Sequence, residues 1–165
     1  MWKRLTGSMA FVLVALSALS GSASARGDSE ESAQTVIQSR KFTIAKGQCS
    51  QLPAGLEVQG VGLERTKTVV DDEDGGVTYS LSSTITGTAT DNVGGTYTFR
   101  YQLRIRPVRL PGSAIVTDTF SLTGTGAANG MSTFFRLRAT LDAGANPTAF
   151  TFLEQTGNPF GCDPL

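Results

Sequence analysis

The chain has 165 residues, with 14 basic and 14 acidic side chains, two cysteines and no histidine. The missing histidine excludes Ser-His-Asp and Cys-His catalysis and histidine-ligated zinc. The neutral total argues against general attraction to nucleic acid or to an anionic membrane surface.

Residues 1–25, MWKRLTGSMAFVLVALSALSGSASA, read as a secretory signal. Lys3 and Arg4 precede a charge-free apolar run from Met9 to Leu19, and Ala23 and Ala25 offer small residues for cleavage. The run is shorter than the roughly 20 residues of a membrane-spanning helix, and no cysteine follows it to carry a lipid. Cleavage after Ala25 leaves twelve basic against fourteen acidic residues. Residues 26–34, RGDSEESAQ, contain no aromatic side chain and read as a flexible polar tail. Arg26, Gly27 and Asp28 resemble the integrin-binding tripeptide. Such displays are pre-formed on loop tips, whereas a frayed terminus has to be ordered on binding. Residues 35–165 are long enough for one domain with its own core.

Beyond the tail the apolar period is two. Residues 35–44 (TVIQSRKFTI) and 57–70 (EVQGVGLERTKTVV) are expected strands, the second with a bulge or bend at Gly60 and Gly62. The acidic run at 71–76, DDEDGG, reads as a hairpin turn. As an EF-hand loop it fails, because Val70 and Leu81 would stand at ligand positions. Residues 77–91 put Val77, Tyr79, Leu81 and Ile85 on one face and only Thr or Ser on the other. The array Thr84, Thr86, Thr88 and Thr90 resembles an ice-binding surface, but such surfaces need many flat ranks, and a twisted solvent face is the plainer reading.

Residues 97–107 set Tyr97, Phe99, Tyr101, Leu103 and Ile105 against Arg100, Arg104 and Arg106. Strands at 115–123, 133–142 and 148–156 follow, separated by the turn sequences PVRLPGS, GTGAANG and DAGANP. The regular spacing predicts an all-β fold, an antiparallel up-and-down meander of seven to eight strands. A small closed barrel, which removes exposed edges, is the expected form, with a two-sheet β-sandwich as the alternative. Cys49 and Cys162 are expected to pair as a disulfide in an oxidising compartment.

Two constellations could carry function. Arg100, Arg104, Arg106, Arg136 and Arg138 share polar strand faces, with Arg109 nearby, and form a candidate basic face for an anionic partner or glycan. Arg40, Asp118 and Glu154 fall in phase with apolar residues of their strands. In a closed barrel Arg40 would meet Glu154 inside, and an interior polar cluster is how small-ligand sites are built. A one-residue bulge is the competing explanation. Asp118 and Glu154 are also the in-phase carboxylates for a glycosidase pair. GTGAANG lacks the lysine of a phosphate-binding loop.

No cofactor, metal or enzymatic activity is expected. The expected function is a non-catalytic interaction module, secreted to an extracellular or periplasmic site, inhibitor- or adhesin-like, with a protein or glycan partner and not nucleic acid. The alternative is a carrier of a small apolar ligand. A transmembrane β-barrel is the lesser alternative, disfavoured by the closing GNPFGCDPL where an aromatic terminal strand is usual.

Overall fold

The computed structural model describes residues 31–73, 76–157 and 162. The secretory segment, the RGD triplet, and Asp74 and Gly75 of the acidic turn lie outside the described residues. Seven strands follow in chain order: β1 (Glu31–Ile44), β2 (Val58–Glu73), β3 (Gly76–Asp91), β4 (Thr96–Leu110), β5 (Gly112–Gly124), β6 (Ser132–Leu141) and β7 (Pro147–Thr156). They form one antiparallel sheet in the order of the chain. The alternation therefore reads correctly as an all-β meander. The two-sheet sandwich does not form, because every strand belongs to the same sheet. β1 pairs with β2 and β7 with β6, and the sheet is open between its two edges.

The open sheet is nevertheless strongly curled. Phe42 on β1 meets Phe120 on β5 with ring centroids 5.4 Å apart, and Phe99 on β4 at 4.8 Å. In a flat sheet, four strand spacings would hold β1 and β5 about 19 Å apart. Glycines on the concave face make room for these rings. The Phe99 ring lies 2.7 Å from where a Cβ would stand on Gly62 or on Gly87, and the Phe42 ring fills the corresponding space at Gly60. The register runs unbroken through Gly60 and Gly62, so no bulge forms there, and the missing side chains serve aromatic packing instead.

The concave face carries the core. At one end Phe42, Ile44, Val58, Ile85, Phe99 and Phe120 pack together, covered by residues 45–57 and by Cys162, which is disulfide-bonded to Cys49. At the other end Val108, Val116, Leu137 and Leu141 form a second cluster, and Leu103 touches both.

Several boundaries differ from the sequence reading, the start of β1 and the end of β4 among them. β1 starts at Glu31, so residues 31–34, read as tail, pair with residues 68–71, although residues 32–34 stay exposed. β4 runs on to Leu110 through Pro107 because an extra residue at 106–107 bulges out of the ladder between Leu81↔Ile105 and Tyr79↔Val108. A bulge is where a strand tolerates a residue with no N–H to donate. It also returns Val108 to the core side after Ile105. A second bulge falls at Leu153, since Arg136 faces Glu154 while Leu137 faces Phe152.

Candidate anion-binding face

The convex face collects the cations. β2 presents Arg65 and Lys67, β4 presents Arg100, Arg104 and, past its bulge, Arg109, and β6 presents Arg136 and Arg138, all exposed. Arg106 is exposed within the bulge itself. The intervening strands supply hydroxyls on the same face: Ser80, Ser82, Thr84 and Thr86 from β3, and Thr117, Thr119 and Ser121 from β5. The register aligns Lys67, Ser82, Arg104, Thr117 and Arg136 in one row across the sheet. Along this row the basic strands thus recur at every second position, roughly 10 Å apart, and Lys41, exposed on the same face of β1, lies away from the row. The alternation keeps like charges from standing directly opposite one another, which would destabilise the ladder.

Among the described side chains of this face the acids are Asp71 and Glu154, both near its margins. Of the other described strand carboxylates, Glu64, Asp91 and Asp118 are buried, and Asp72 is exposed at the end of β2, in its inward phase. Among the described residues the convex face is therefore basic, although the chain as a whole is neutral. Arg100, Arg104, Arg106, Arg136 and Arg138 were legible from strand phase. Arg65 and Lys67 were missed, although the odd phase they share on β2 carries the same signal.

The interior cluster expected from Arg40, Asp118 and Glu154 does not assemble. Arg40 pairs with Glu64 on the neighbouring strand, Nε to Oε2 at 2.5 Å. Glu64, 8 % exposed, also accepts from Gln38 Nε2 at 2.6 Å and from Ser83 Oγ at 2.8 Å. Burial by itself raises the Glu64 pKa, but the bonds from Arg40, Ser83 and Gln38 and the Arg40 charge outweigh it and hold the carboxyl below its ordinary value. Asp118 is buried in the core, where the Tyr101 hydroxyl donates to Oδ2 at 2.7 Å. Glu154 is carried by the Leu153 bulge to the convex face, where it stands 3.8 Å from Arg136, both side chains about half exposed. Asp118 and Glu154 thus lie on opposite faces of the sheet and do not form a glycosidase pair. Glu64 is the partner the sequence reading missed. It shares the inward phase of β2 with Val58, but Gly60 and Gly62 between them erase the apolar pattern that would have marked it.

The covered end of the sheet is held by the β3–β4 turn. Asp91 Oδ1 accepts from the N–H groups of Val93 and Gly95 at 3.0 and 2.7 Å, and Oδ2 accepts from the Tyr97 hydroxyl at 2.5 Å. The Tyr97 hydroxyl in turn accepts from Ala128 N at 3.0 Å, which ties this turn to the β5–β6 loop. A shallow recess of about 200 Å³ beside it is lined by Glu57, Gln59, Thr90, Asp91 and Asn92.

No protein-family model, no curated protein and no solved structure matches the chain.

Proposed function

We propose that this chain is a non-catalytic, exported interaction module that docks an anionic partner on the convex face of its sheet. The observation that carries the reading is the distribution of charge between the two faces: exposed arginines and lysines on the convex face, and Glu64, Asp91 and Asp118 buried on the concave one, where Arg40 pairs with Glu64. Export is supported by the pattern of residues 1–25 and by the Cys49 to Cys162 disulfide, which suits an oxidising compartment. An open, curled sheet suffices for this function, and ladder closure between β1 and β7 is not required of it. The transmembrane reading is disfavoured by the same face, because a lipid-facing exterior would be apolar.

Cation-exchange chromatography at pH 7.5 and low salt tests the proposal. A sequence pI of about 6.2 predicts flow-through for an evenly charged protein. The segregated face predicts retention, and release as salt screens the arginines. Flow-through at low salt overturns the reading.

The carrier reading keeps one observation in its favour. Phe150 and Phe152, in the concave phase of β7, are 48 % and 37 % exposed, as an apolar ligand site at the open edge would require. A non-covalent adduct in native mass spectrometry of the secreted chain would support it, and a bare mass together with retention on the exchanger would favour the anion face.

A further inference from the structure

The basic face is striped rather than uniform, and the stripes suggest a partner. From β2 to β6, cations stand on β2, β4 and β6 and hydroxyls on β3 and β5, with Lys41 on β1 outside this pattern, and the row through Lys67, Arg104 and Arg136 crosses five strands with Ser82 and Thr117 between the charges. The row is about 19 Å long, with a cation roughly every 10 Å. A ligand lying along a single strand would meet uneven spacings, about 7 Å between Arg65 and Lys67 or Arg136 and Arg138 and about 13 Å between Arg100 and Arg104. The periodic direction therefore runs across the strands.

We propose that this row binds a linear acidic polysaccharide laid perpendicular to the strands, its anionic groups meeting the basic strands and its neutral, hydroxyl-rich units meeting β3 and β5. The proposal rests on the anion-binding reading above and names its partner. A protein partner would be expected to engage large aromatic anchors, and along this row the side chains between the cations are Ser82 and Thr117. The exposed large apolar side chains of the convex face on β1 and β2, Ile37, Val61 and Leu63, lie outside the row, and Phe134, on the same face of β6, is half-buried. A membrane is a plane, and a curled sheet presents its convex face to a plane along a narrow strip only. A flexible polymer follows the curve.

The test uses the full secreted chain. Binding is measured by titration calorimetry against heparin as a sulfated polymer, alginate as a carboxylated one, dextran as a neutral one, and anionic phosphatidylserine vesicles. Two double variants remove equal charge: Arg104→Gln with Arg136→Gln within the row, and Arg100→Gln with Arg138→Gln outside it. All four side chains are exposed, and circular dichroism checks that both variants fold.

The expected result is binding to at least one of the two acidic polymers and not to dextran. Affinity should rise with fragment length up to about 19 Å, the span of the row. It should fall at least tenfold in the in-row variant and by clearly less in the other. Equal losses in the two variants, or a disaccharide that binds as tightly as the polymer, would overturn the row while leaving an anion-binding face standing. Binding to vesicles but to neither polymer would overturn the polysaccharide and assign the face to a membrane. Failure to bind any anionic probe would overturn this inference and the function it rests on together.

Discussion

Arg40 illustrates how a charge can enter a core face without a ligand. Its strand phase made a partner necessary, since a buried or half-buried charge is costly when unpaired. The partner turned out to be local: Glu64, one strand away, rather than Glu154 at the far edge. Arg40→Met should lower stability by about 1–2 kcal/mol, because it strips a charged donor from a carboxylate that stays buried. Glu154→Gln should change stability by less than about 0.5 kcal/mol, as expected for an exposed ion pair. Urea denaturation followed by far-ultraviolet circular dichroism measures both, and the same signal serves for pH. Glu64 and Asp91 both titrate below their ordinary values in the folded chain, Asp91 chiefly through the Tyr97 hydroxyl, against the opposing effect of burial. Groups with depressed folded pKa values contribute stability above their unfolded values, about 4, and lose it as pH falls through the folded ones. With no histidine in the chain and both cysteines paired, the urea midpoint should be flat from about pH 6 to 8 and fall below about pH 4. A midpoint unchanged at pH 3 would refute the role given to these carboxylates.

At the scale of the element, the strands were legible because each needs one face in water and one in the core. Where that rule was interrupted, the reading slipped. Pro107 looked like the start of a turn, and only the ladder reveals that a bulge carries the strand past it. Leu153 reversed the phase of Glu154 in the same way. Bulges leave a weak trace in sequence because the extra residue can be of almost any type. Gly60, Gly62 and Gly87 were the opposite case, visible as glycines but not as sockets for rings, since their use depends on which aromatic lies above them. Gly87→Ala should cost about 1–3 kcal/mol, because the new methyl would meet both the β2 backbone and the Phe99 ring. A thermal midpoint equal to wild type would mean that the sheet can flatten locally to accept it.

For the whole molecule, the disulfide links residues 113 positions apart in the chain and holds Cys162 at the covered end of the core. In the chain-entropy model the loop it closes contributes about 4–5 kcal/mol. Cys49→Ser combined with Cys162→Ser should therefore shift the urea midpoint far more than any single substitution above, and a small shift would mean that the denatured chain is already compact. The sequence by itself determined the β meander, the pairing of its only two cysteines, the absence of histidine chemistry, and the side of β4 and β6 that carries arginine. Each of these depends on composition or on local period. Only the tertiary structure decided that the sheet curls without closing its ladder, that Arg40 answers Glu64, and that cations and hydroxyls alternate strand by strand in one row. Those outcomes depend on register, and a shift of a single residue, as at Leu153, moves a side chain from one face of the sheet to the other.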